Sequence, residues 1–224
     1  MTKILIDSAN IEKAKELMSY YDISGITTNP SILAKGAKNL SEKLKEIKEV
    51  FKEDLEIHIQ TTEKSCEKIV LEAEKLKKYF GDNFFIKIPI NKEGLKAAKE
   101  CKSKNIKVTM TAIFTPLQVL AASKLGVDYV APYVNRIDNI GGDSTKILEE
   151  MQKIVSNYDT KILAASFKNQ NQIKDAVLVG AYALTISPEL IEESIWHPYT
   201  DKSIAQFEED WQKTFGDSKV VEYL

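Results

Sequence analysis

The sequence predicts an α/β protein of the (β/α)₈ TIM-barrel class with one extra helix at its C-terminal end. Three observations carry the prediction. Short apolar runs alternate strictly with longer amphipathic segments, the alternation amounts to eight units without a break in composition, and no glycine-rich loop follows the first strand, where Asp7-Ser8-Ala9-Asn10 stands instead. Parallel neighbours need a crossover connection, so strict β–α alternation implies a parallel sheet, and eight units imply closure. An open doubly wound sheet is the competing architecture. It is disfavoured because its first turn ordinarily carries phosphate-binding glycines.

Strands are expected at 3–8, 23–28, 56–61, 84–90, 107–113, 129–134, 161–166 and 183–187. Phe84-Phe85-Ile86 and Ile162-Leu163-Ala164-Ala165 are continuously apolar, as strands covered on both faces are. Helices are expected at 10–20, 31–35 with 40–52, 63–79, 93–103, 115–124, 143–156, 170–179 and 188–194. A final amphipathic segment, about 200–215, puts Phe207, Trp211 and Phe215 at four-residue spacing on one face. It exceeds the eight units, so that face needs its own barrel or a neighbouring subunit as partner. With no linker, repeat or low-complexity stretch, residues 1–224 read as one domain.

Composition narrows the function classes. The chain has 31 basic and 33 acidic side chains and a net charge of −2, which argues for neither a nucleic-acid nor a membrane-surface partner. Cys66 and Cys101 are the only cysteines, both in expected helices, and read as free thiols of a reducing compartment. The strand pattern Lys3-Ile4-Leu5-Ile6 begins at once, with no signal-peptide pattern before it, and no apolar run approaches a membrane span. A cytoplasmic protein is expected.

In this fold, chemistry gathers at the C-terminal ends of the strands. The polar residues there are Asp7, Thr27 with Asn29, His58 with Gln60, Lys87, Thr111, Tyr133 with Asn135 and Arg136, and Ser166 with Lys168. Lys87 is the sharpest, because it interrupts the apolar run Phe84-Phe85-Ile86-Lys87-Ile88-Pro89-Ile90. A charged ammonium in a packed barrel costs several kcal/mol, so desolvation favours the free amine, which can attack a ketone. The alternative is a lysine snorkelling to solvent at the strand end.

The other candidates also admit plainer readings. Asp7 either steadies Lys87 or caps the first helix. Tyr133 either moves protons or only satisfies a buried hydroxyl, and Thr111 is otherwise a plain strand residue. Arg136, Ser166 and Lys168 suit an anion site, against a surface pair of Arg136 with Asp138. His58 and Gln60 share one face of the third strand, with Gln60 nearer its C-terminal end. No second ligand has metal-binding spacing with His58, so no metal is expected. His197, before Pro198, reads as structural.

Four segments together resemble one family. They are Gly25-Ile26-Thr27-Thr28-Asn29-Pro30-Ser31, Ile86-Lys87-Ile88-Pro89, Tyr129-Val130-Ala131-Pro132-Tyr133-Val134-Asn135-Arg136-Ile137-Asp138, and Leu163-Ala164-Ala165-Ser166-Phe167-Lys168. The chain is similar, over nearly its whole length, to the small transaldolase and fructose-6-phosphate aldolase family. Phe207-Glu208-Glu209-Asp210-Trp211 resembles that family's end.

The resemblance implies a class I aldolase mechanism with no metal or organic cofactor and a sugar phosphate substrate. It makes Lys87 the Schiff-base lysine and sets Asp7, Asn29 and Thr27 around it. Arg136, Ser166 and Lys168 then contact the acceptor phosphate, with Asn135 beside them, and Thr111 positions a catalytic water. It also implies ring-shaped homo-oligomers, commonly pentamers stacked into decamers. Transaldolases of the family have a glutamate on the third strand and a phenylalanine in the sixth-strand motif; the aldolases have glutamine and tyrosine. Tyr133 follows the aldolases. Gln60 does too when the strand is registered on Glu67 and Val70, but not when it is registered on Thr61-Thr62. His58 and Glu56 depart from the family pattern.

An aldolase reading is therefore expected, with a transaldolase as its alternative. A phosphosugar-binding barrel without catalysis stands as a third.

Overall fold

Eight parallel strands close on themselves in a computed structural model that describes residues 2–36, 38–52 and 54–224. The strands are β1 (Lys3–Asp7), β2 (Gly25–Thr27), β3 (Glu56–Gln60), β4 (Phe84–Pro89), β5 (Lys107–Ile113), β6 (Tyr129–Pro132), β7 (Lys161–Ala164) and β8 (Ala183–Ile186). They pair in chain order, and β8 returns to β1 with Ile4 opposite Leu184. Around them lie α1 (Ile11–Met18), α2 (Pro30–Gly36), α3 (Leu40–Val50), α4 (Cys66–Phe80), α5 (Lys92–Ser103), α6 (Pro116–Ser123), α7 (Val134–Asn139), α8 (Ser144–Val155), α9 (Gln170–Leu178), α10 (Pro188–Ile195) and α11 (Pro198–Phe215). The expected (β/α)₈ barrel with an extra C-terminal helix is thus the observed fold.

Strand alternation splits the apolar residues into two sets. Ile57, Ile86, Ile88, Val108, Val130, Ile162 and Leu184 point outward and meet the helices in the main core. Leu5, Phe85, Tyr129, Leu163 and Ala183 point inward and plug the barrel. Because Phe85 faces inward, Lys87 does too. The outer layer holds the frame: burying an isoleucine such as Ile86 contributes roughly 1.5–3 kcal/mol, and truncating it to alanine would cost about 2–5 kcal/mol.

The helices begin with polar caps that end each loop. Asn10, Asn39, Asn91, Asp143 and Asn169 accept backbone N–H groups with their side chains, and Thr115 with Gln118 forms a reciprocal capping box. Gly25 is required on β2, since a Cβ there would lie 2.2 Å from the Glu56 carbonyl oxygen.

Two elements differ from the sequence expectation. The sixth strand stops at Pro132, followed by one further bridge from Tyr133 to Ala165, and Tyr133 is then the N-cap residue of the short helix α7. The last helix starts at Pro198, and none of its residues is buried. No helix among the described residues is long and apolar enough to cross a membrane.

Candidate active site

A cavity of about 1030 Å³ opens at the C-terminal ends of the strands. Asp7, Asn29, Gln60, Lys87, Tyr133, Asn135, Arg136, Ser166 and Lys168 all line it, so nine residues singled out from the sequence meet there. Thr27 and Thr111 sit one bond behind the wall. The Thr27 hydroxyl donates to Asp7 Oδ1 at 2.6 Å and also lies 2.6 Å from Thr185 Oγ1. The Thr111 hydroxyl donates to the Tyr133 oxygen at 3.1 Å.

Lys87 lies on the inner face of β4 and is 3 % exposed. Burial lowers its pKa below the ordinary lysine value, and the Asp7 carboxylate opposes that shift. Asp7 is not the cap of α1, a role taken by Asn10. On one flank Gln60 is the register partner of Lys87, two residues beyond the fully buried His58 on the same face of β3. The next residue, Thr61, donates its backbone N–H to the Lys87 carbonyl at 3.0 Å.

Tyr133 stands at the end of β6. Because Thr111 donates to it, the phenol keeps its own hydrogen for a group in the cavity. The Arg136 guanidinium lies 4.7 Å from the Tyr133 ring centroid, and Phe114 packs edge-on to the same ring. Helix α7 explains the spacing: its first turn presents Asn135 and Arg136 while Val134 and Ile137 are buried. Asp138 is not an ion-pair partner of Arg136 but accepts from Gln172 at 2.7 Å and from the Ser144 backbone N–H at 3.1 Å. Gln172 also donates to Asn135 Oδ1 at 3.2 Å.

Two cavity residues hold left-handed backbone. Ser166 has φ 65° and Ala112 φ 58°, the latter where β5 shifts register between Thr111 and Ile113. Left-handed conformation in a residue with a Cβ costs about 1–3 kcal/mol and clusters at functional sites. Here it turns Ser166 into the cavity beside Lys168, whose side chain is exposed.

Sequence reasoning missed Thr185, Ser187 and Lys35, which also line the cavity. Thr185 had a usable signal, as the polar residue in Ala183-Leu184-Thr185-Ile186. Lys35, at the end of α2, had none.

A buried amine with a lowered pKa, a carboxylate in its field and a hydrogen-bonded phenol lining the same cavity together suit Schiff-base chemistry on a carbonyl. Arg136, Lys168, Lys35 and Ser166 give the outer cavity wall an anion-binding character.

Comparison with known proteins agrees with this picture. A family model described as Transaldolase/Fructose-6-phosphate aldolase matches residues 4–220. A "Probable transaldolase" of Thermoplasma volcanium is 37% identical over 224 residues, covering 98% of this chain and 99% of that protein. A "Probable transaldolase" of Bartonella henselae is 39% identical over 215 residues, 95% of this chain and 97% of its own length. A "Probable fructose-6-phosphate aldolase" of Streptococcus pneumoniae is 34% identical over 212 residues, 93% of this chain and 96% of its length. The chain belongs to the transaldolase/fructose-6-phosphate aldolase family and is an enzyme of that family.

Proposed function

We propose that the chain is a class I aldolase that cleaves and forms fructose 6-phosphate, the products of cleavage being dihydroxyacetone and glyceraldehyde 3-phosphate. The carrying observation is that one cavity is lined by both the buried Lys87 and a Tyr133 phenol that is backed by Thr111. Lys87 attacks C2 and water is lost, leaving an iminium. The C4 hydroxyl proton passes through a water held near Thr111 and Gln60 to Tyr133, which hands its own hydrogen on toward the donor fragment as it receives that proton; the C3–C4 bond breaks, and its electrons pass to the iminium to give an enamine. Protonation and hydrolysis return the free amine and dihydroxyacetone. Asp7, Thr27 and Asn29 hold the donor end; Arg136, Ser166 and Lys168, with Asn135, hold the phosphate. Fixed contacts and prearranged charge supply most of the rate.

The transaldolase reading keeps the three-carbon unit on Lys87 until an aldose phosphate accepts it. The names carried by the Thermoplasma and Bartonella relatives favour it. Tyr133, and Gln60 beside Lys87, favour the aldolase. Supplying fructose 6-phosphate alone, and then with erythrose 4-phosphate, separates the two. The aldolase turns over many times without the acceptor; multiple turnovers only with it would make the chain a transaldolase.

We further infer one domain spanning 1–224, a cytoplasmic setting and a homo-oligomer. The exposed Tyr199, Ile204 and Phe207 of α11 support a neighbouring subunit as its partner. Light scattering at micromolar concentration tests this, and a monomer would refute it.

A further inference from the structure

Below the cavity, Glu56 and His58 stand on the inner face of β3, and the reaction proposed above uses neither. His58 is fully buried, and its ring stacks on Phe85 with centroids 4.3 Å apart. Its Nε2 lies 3.2 Å from Glu56 Oε2 and its Nδ1 2.9 Å from Thr109 Oγ1. The other Glu56 oxygen accepts from Lys3 Nζ at 2.6 Å and from the Tyr129 hydroxyl at 3.1 Å.

The hydrogens in this chain have one consistent arrangement. Burial lowers the pKa of His58, so the ring is neutral at neutral pH. Burial works against ionised Glu56, but its bonds to His58 and Lys3 prevail and set it at about 2, so it is a carboxylate. A carboxylate only accepts, which puts the ring hydrogen on Nε2. Nδ1 is then an acceptor, and Thr109 must give it its single hydroxyl hydrogen.

That direction matters because of where Thr109 sits. His58 is the register partner of Phe85, and Thr109 that of Lys87. The His58–Thr109 bond therefore crosses the inner face of β4 between Phe85 and Lys87. Along it the dipoles point their negative ends from Glu56 toward the Thr109 oxygen, on the residue paired with Lys87, in a dry interior where aligned hydrogen bonds reinforce one another.

We propose that Glu56, His58 and Thr109 are positioning residues that carry negative potential up to the Lys87 nitrogen and stabilise its positive forms, the ammonium and the Schiff-base iminium. The proposal rests on Lys87 being the Schiff-base nucleophile. The charged and titratable groups around His58 are Glu56 on its own strand, Lys3 from β1, Lys87 from β4 and Tyr129 from β6. Asp7 faces Lys87 from β1.

The test follows the pH dependence of kcat/KM, and cyanoborohydride trapping with fructose 6-phosphate, in wild type, Thr109→Val, Thr109→Ser and His58→Phe. Removing the negative end disfavours the charged amine. The acid limb of Thr109→Val and His58→Phe should move to lower pH by about one unit, and trapping should fall about tenfold. Thr109→Ser should restore both. A limb and trapping rate unchanged in both variants, with wild type trapped normally, would overturn this proposal and leave the Schiff base standing. A wild type that is never trapped would overturn both.

If His58→Phe does not fold, Thr109→Val and a second measurement decide. The chain has two histidines, so ¹⁵N spectra of wild type and His197→Gln isolate His58. Protonated Nε2 with bare Nδ1 is expected at neutral pH. The opposite tautomer or an imidazolium would refute the arrangement.

Discussion

Replacing Lys87 with methionine should abolish turnover while leaving the protein as stable as before or more so. The side chain is 3 % exposed, and Asp7, the carboxylate whose field reaches it, already accepts from Thr27. A buried ammonium costs several kcal/mol after relaxation, and the lowered pKa states that Asp7 does not offset all of it. The sign follows from proton binding. Unfolded Lys87 holds its proton up to the ordinary value of 10.5, the folded residue releases it earlier, and stability therefore rises as pH climbs through that interval. At neutral pH the charge is a cost that methionine, similar in length and uncharged, removes. A gain of about 1–3 kcal/mol corresponds to roughly 2–10 °C in Tm for a domain of this size. Loss of a covalent route costs on the order of 10⁴-fold or more in kcat. Calorimetry at pH 7 beside a glyceraldehyde 3-phosphate assay reads both. A Tm lowered by more than about 5 °C would make Lys87 a structural residue, and retained turnover would end its role as nucleophile.

Tyr133→Phe should lower kcat for cleavage by about 10²–10⁴-fold with little change in KM; an unchanged rate would remove the phenol from the proton path. Arg136→Ala should raise KM for fructose 6-phosphate about 10- to 100-fold, the loss of one charge-assisted contact, and leave unphosphorylated fructose unaffected. Equal losses on both sugars would place Arg136 outside the phosphate site. Acid should weaken the fold in two stages. His58 stays neutral when buried, so stability falls as pH drops below 6.5, where the unfolded residue gains a proton. Glu56, held below its unfolded value of 4.5 against burial by its bonds to His58 and Lys3, contributes stability that is lost as pH falls below that value. Urea unfolding at pH 7.5 and 5 tests the first stage: wild type should weaken, His58→Phe should not, and equal slopes would refute the assignment.

The alternation of apolar runs made the barrel legible, because every strand carries its own local signal. Lys87 was legible for the same reason, as one charge inside β4. What stayed hidden depends on closure. Thr109 reaches His58 across the intervening strand β4, a contact 51 residues apart in the chain that no local pattern announces. Helix α7 was missed because Tyr129 to Val134 reads as one apolar run; only the spacing of Val134 and Ile137 marks the turn after Pro132. Ser166 reads as a strand end, since its left-handed backbone belongs to the folded loop and not to serine.

Reductive trapping with residue-level mapping tests the Schiff-base role of Lys87 most directly. Fructose 6-phosphate and borohydride are added to the wild-type enzyme, and the modified peptide is sequenced by mass spectrometry. A reduced three-carbon adduct is expected on Lys87, absent from Lys87→Met. An adduct on another lysine, or none in an enzyme that still turns over, would contradict that role.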